Sequence, residues 1–227
     1  MICLKRTKLK DRLLPNYSRA EEIFNSASHG VGAALGIVAA VLCIIAAART
    51  RDVYAIVGAA IFGATMTALY AVSSIYHGIP PRFYAKRVMQ VIDHCTIFLL
   101  IAGTYTPIAL CTLRRYDARL GWTIFGIVWA AAALGIVLNA IDLKKYKVFS
   151  VVCYLLMGWC IMLTAPKLGE IFEMGAIALL LAGGIAYTLG AVLYVIGAKR
   201  PVMHSVFHVF TVIGSALHFF AILFYVF

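Results

Sequence analysis

His204 and His208 stand four residues apart, and so do Ser73 and His77. On a helix that spacing puts both members of a pair on one face, a turn apart. Asp93 lies inside an apolar stretch, six residues past Arg87, and no other acid of the nine does so. A carboxyl group in hydrocarbon is expensive and marks a functional site. Three neutral imidazoles with one open position form a common catalytic zinc arrangement. A carboxylate beside them can orient a bound water or one of the ligands. The chemistry these residues permit is therefore metal-assisted, with His77, His204 and His208 as ligands, Asp93 as proton acceptor and Ser73 as a neighbouring hydrogen-bond donor. Haem ligation is disfavoured, because His204 and His208 on one helix face cannot reach opposite sides of one haem. The competing explanation is that these groups hydrogen-bond one another and fix helix packing.

The elements that must position them follow from composition. The chain has 227 residues, 63% of them hydrophobic and 13% charged, against roughly 45–50% and about 25% in soluble domains. Mean hydropathy is +0.95. Soluble, disordered and disulfide-framework classes are excluded. Seven apolar runs, at about 29–48, 53–76, 88–111, 121–141, 148–165, 174–196 and 204–227, each have about the length a membrane helix needs. The expected fold is all-α: a polytopic membrane protein with seven transmembrane helices, a tail over 1–27 and a helical domain over 28–227. The tail is polar and basic, without the apolar centre of a cleavable signal, so the first run reads as a span. The six cysteines form no CxxC pair and read as reduced packing residues.

Basic residues outnumber acids, 20 to 9. They fall in the gaps between apolar runs, and alternate gaps differ. The N-terminal tail and the gaps after the second, fourth and sixth runs carry fourteen; the other gaps carry six. The positive-inside rule then puts the N-terminus in the cytoplasm and the C-terminus outside, the reverse of a G-protein-coupled receptor. The excess charge reads as topology and contact with anionic lipid headgroups, with no nucleic-acid partner. In this orientation His77 closes the second helix, Asp93 opens the third, and His204 and His208 open the seventh, all in the cytoplasmic leaflet. His94, turned ~100° from Asp93, reads as a packing residue, and His218, ~21 Å beyond His204, is too far outward to join them. Glu22, Asn25 and His29 share a face of the first helix. They either support the ligands, line a substrate entrance, or serve as helix-start polarity.

Four segments carry a resemblance: EEIFNSASHG (21–30), SSIYHG (73–78), DHCTIFLLIAGTYTP (93–107) and HSVFH (204–208). They resemble the hemolysin III family, the bacterial branch of the progestin and adipoQ receptor (PAQR) superfamily, over essentially the whole chain. The resemblance implies a seven-helix protein of the bacterial plasma membrane. It implies zinc held by His77, His204 and His208, with Asp93 on the zinc-bound water and Ser73 beside it. It also matches Glu22, Asn25 and His29 to the family's first-helix motif and points to ceramide-like amides.

Three activities follow as expectations. The first is a zinc-dependent hydrolase of lipid amides or esters, acting in membrane lipid homeostasis with Asp93 as base. The second is a non-catalytic sensor or regulator of membrane state. The third is a channel-forming cytolysin, to which a chain without a row of charged residues along its spans gives little support. Membrane lipids are the expected partners.

Overall fold

Ser18 and Glu21 start the first helix ten residues ahead of its apolar run. The Glu21 backbone N–H donates to the Ser18 hydroxyl (3.2 Å), and Glu21 Oε2 accepts from the Ser18 N–H (2.7 Å). This reciprocal pair is a capping box, and it draws the polar stretch 19–28 into helix α1 (Arg19–Arg49). Glu22, Asn25 and His29 therefore ride on a regular helix. The structure, a computed structural model, describes residues 7, 9–197, 200 and 202–227. Of the residues weighed above, Cys3, Lys5, Arg6, Lys8, Lys199 and the side chain of Lys10 lie outside the described residues.

Six further helices are long and apolar enough to cross a membrane: α2 (Val53–Gly78), α3 (Tyr84–Tyr116), α4 (Ala118–Asp142), α5 (Lys147–Ile171), α6 (Met174–Gly197) and α7 (Val202–Tyr225). The described residues contain no strand. The protein is thus an all-helical, multi-pass integral membrane protein. Large aliphatic side chains such as Ile37, Val57, Leu134 and Val195 are exposed, whereas polar Asn25, His29, Asn139 and Ser150 are buried. That inversion suits a lipid surround, where an exposed aliphatic side chain costs nothing.

Helices α1 and α2 pack side by side, α6 and α7 likewise, and α1 also meets α7. The most enclosed helix is α3, packed against α2 and α4. Pro107 removes one backbone donor from it, and the chain continues as a wider π turn over Ile108–Leu113. In α5 the α-helical part ends at Gly158 and a 3-10 segment runs over Cys160–Lys167. Cys43, Cys95, Cys111, Cys153 and Cys160 are free thiols within the bundle.

Two sets of polar contacts fix the helices that carry the histidines. Ser26 on α1 donates to the Ser74 carbonyl on α2 (2.9 Å), and Ser74 donates back to the Ser26 carbonyl (2.8 Å). Tyr70 on α2 reaches α7, donating to the Thr211 carbonyl (2.9 Å) or to the Ser215 hydroxyl (2.6 Å). Each set locks the register of one helix against the next.

The α1–α2 contact depends on Gly63, where a methyl group would come within 2.6 Å of the Ala40 backbone. Overpacking of this kind costs about 1–3 kcal/mol. Gly63→Ala is expected to lower the thermal unfolding midpoint of the detergent-solubilised protein. An unchanged midpoint would mean that the two helices stand farther apart.

Candidate metal centre

The second helix ends where the seventh begins, and that arrangement brings three imidazoles together. His77 is the penultimate residue of α2, and His204 and His208 occupy the first two turns of α7. Each offers a ring nitrogen, and the three atoms lie within 4.8 Å of one another. All three residues are buried. Nε2 of His204 and Nε2 of His208 are 3.1 Å apart. Nε2 of His77 is buried with no hydrogen-bond partner. A buried polar atom without a partner is costly, and a shared cation satisfies all three nitrogens at once. The donor set fits a possible three-histidine metal site.

The other face of His77 is tied down. Its Nδ1–H donates to Glu22 Oε2 at 2.7 Å, since a carboxylate can only accept. That bond fixes the tautomer and leaves Nε2 with its lone pair free, as a carboxylate commonly does for a metal-bound histidine. Glu22 Oε1 in turn accepts from Lys86 Nζ at 2.6 Å. Lys86 is only 1% exposed and sits in the first turn of α3, with Tyr76 beneath its ammonium group. Sequence reasoning places this lysine among the loop cations. The one hint of its position is the Pro80-Pro81 turn just before it, which folds α3 back against the end of α2.

Asn25 and His29 lie inside the bundle. Both are buried, and none of their side-chain polar atoms has a hydrogen-bond partner among the described residues. The His29 ring stacks on His208 with centroids 3.7 Å apart and meets Tyr70 edge-on. The face Glu22–Asn25–His29 therefore lines the imidazole cluster along its whole height.

Asp93 is the tenth residue of α3, ~14 Å from its start, and its side chain is 14% exposed. It lies beside Ser73 and within electrostatic reach of His77 and His204. Its Oδ2 is 3.3 Å from His94 Nδ1, which also donates to the Gln90 carbonyl at 2.9 Å. The other His94 nitrogen is 3.1 Å from the Tyr194 hydroxyl. His94 thus packs against α6, as its turn around the helix suggests, with Asp93 close beside it. His218 bonds to the Leu180 carbonyl, far along α7 from the cluster.

Tyr17 was not legible in advance. It precedes α1, stacks on His204 with centroids 4.9 Å apart and lies 5.7 Å from His77. Burial is the main cause that pushes its phenol well above its ordinary pKa, with Tyr194 and Glu22 adding to it. Tyr17 therefore stays a neutral O–H over the cluster.

The chain is similar to known proteins over most of its length. The family described as Haemolysin-III related matches residues 17–219. Hemolysin-3 of Bacillus cereus is 40% identical over 207 residues, covering 91% of this chain and 92% of that protein. The Hemolysin-3 homolog of Bacillus subtilis is 40% identical over 205 residues, covering 90% and 94%. The human monocyte to macrophage differentiation factor is 27% identical over 170 residues, covering 71% and 67%.

Removing the carboxylate behind His77 tests the assembly. Glu22→Gln is expected to weaken divalent-metal binding about 10–100-fold, the usual effect of losing such a partner, as measured by competition with a metal-sensitive dye. Unchanged affinity would separate Glu22 from the site.

Proposed function

The chain belongs to the haemolysin III family, and from that premise we propose that it is a zinc-dependent hydrolase of membrane lipids. The scissile bond is an amide or ester at the boundary between headgroup and acyl chain, in the cytoplasmic leaflet. The observation that carries this reading is the meeting of three buried imidazole nitrogens, with Asp93 within electrostatic reach of His77 and His204, inside a lipid-facing bundle.

The spacing suits zinc. Two nitrogens bound to one tetrahedral zinc at about 2.0–2.1 Å stand about 3.3 Å apart, close to the 3.1 Å between His204 and His208. Zinc bound there supplies a Lewis acid for the carbonyl and brings the pKa of water toward ~7. The rest falls to the protein. Glu22 keeps His77 in one tautomer, and Lys86 balances the charge of Glu22. Asp93 accepts the proton of the attacking water and passes it to the leaving amine or alcohol. His94 Nδ1 stands 3.3 Å from the Asp93 carboxylate. Ser73 donates to the carbonyl oxygen as negative charge grows on it. Tyr17 covers the cluster from the N-terminal side, so a lipid substrate enters from within the leaflet. The basic-residue count puts this end of the bundle in the cytoplasmic half.

One observation favours a second reading, a structural metal in a protein that regulates membrane state. His29 and Tyr17 stack tightly on two of the ligands, as in a closed site.

Asp93→Asn separates the two. Purified zinc-loaded protein is expected to release fatty acid from lipid amides or esters. The variant should keep its zinc while losing about 10²–10⁴ of the rate, the usual share of a general base. Wild-type protein with stoichiometric zinc and no turnover on either substrate class would leave the structural reading.

A further inference from the structure

Arg12 lies in the segment before α1, and its side chain is buried, with only 6% of the residue exposed. Its Nε and Nη1 are enclosed and meet no hydrogen-bond partner. Asp142, at the end of α4, is close enough to feel its charge, and its carboxylate is engaged by backbone donors. Oδ2 accepts the Thr7 N–H at 2.7 Å, and Oδ1 accepts those of Lys144 and Lys145 at 3.1 Å each. No ion pair joins Asp142 to Arg12 among the described residues. Arg87 on α3 also reaches this segment, its Nε donating to the Arg12 carbonyl at 3.2 Å. A buried guanidinium thus keeps two unspent donors, its charge answered only by Asp142 at longer range, an expensive state.

The same side chain lines a cavity of about 170 Å³, whose other walls are Leu9, Val88, Val91, Ile92 and Ala140. One cation among five apolar side chains has the character of an amphiphile's complement. The cavity lies between the first turns of α3 and the last turn of α4, where spans meet the headgroup layer. Guanidinium groups match phosphate with paired, charge-assisted hydrogen bonds. Basic pockets between membrane helices commonly take phospholipid headgroups.

We infer that this cavity binds the phosphate of an anionic phospholipid on Arg12, with the adjoining stretch of acyl chain along Leu9, Val88, Val91 and Ile92. The site is distinct from the imidazole cluster and holds whether or not that cluster is catalytic.

Native mass spectrometry of the full-length protein, exchanged into micelles with phosphatidylglycerol, phosphatidylcholine or inorganic phosphate, tests the assignment. Wild type is expected to retain one phosphatidylglycerol, with phosphatidylcholine and inorganic phosphate failing to compete. Arg12→Gln should weaken retention about tenfold or more, as expected for loss of a charged hydrogen-bond donor. Ala140→Trp fills the cavity at an exposed wall without touching the guanidinium, and should do the same; metal content reports that both variants are folded. Equal retention by wild type and both variants would overturn the site. Displacement by inorganic phosphate alone would overturn the lipid as its source.

Discussion

A buried imidazole nitrogen needs a partner, and this bundle buries several that have none among the described residues. Neutral His204 and His208 can satisfy each other if one Nε2–H donates to the other across their 3.1 Å gap. That choice uses up both atoms and leaves Nε2 of His77 stranded beside them. Its Nδ1 is already committed to Glu22, so the ring cannot turn its other nitrogen inward without breaking a charge-assisted bond. Helix packing by mutual hydrogen bonds therefore leaves Nε2 of His77, Nδ1 of His208 and both nitrogens of His29 without a partner among the described residues. A cation would accept a lone pair from all three rings, which makes the cluster a possible metal site.

The surrounding fold keeps those three rings in reach. Helices α2 and α7 bring them from opposite chain directions, one at its last turn and one at its first. Tyr70 bridges these two helices one to two turns deeper, and the paired serines 26 and 74 hold α1 in register beside α2. With that register set, Glu22 falls on His77 and His29 on His208. The enclosed helix α3 adds Lys86 and Asp93 from its first three turns. Every polar contact at the centre thus depends on helices whose outer faces are aliphatic.

Much of this was legible in the chain. Apolar run lengths locate all seven spans, and the α2 and α6 boundaries fall within a turn of the observed ones. Depth counting along each span brings His77, Asp93, His204 and His208 to one level before any coordinates are considered. The start of α1 was missed because run length ignores capping; the S-x-x-E pattern at Ser18 and Glu21 carries that signal. Lys86 was missed because a lysine beside a turn looks like any other loop cation, and only the packing of α3 against α2 shows that it is enclosed. Tyr17 has no periodic signal at all: it belongs to an irregular segment whose path is set by tertiary contacts with the rings it covers. Ring orientation, which decides whether three nitrogens converge, is likewise a matter of neighbours and not of spacing.

The central claim concerns the atoms bound to one ion, and X-ray absorption at the zinc edge of the purified, zinc-loaded protein reads them directly. The account predicts four nitrogen or oxygen neighbours at about 2.0–2.1 Å, with the multiple-scattering pattern of three imidazoles, and loss of that pattern in His77→Ala. A shell of sulfur at about 2.3 Å, a spectrum without imidazole scattering, or protein that retains no zinc after passage over a desalting column would contradict it.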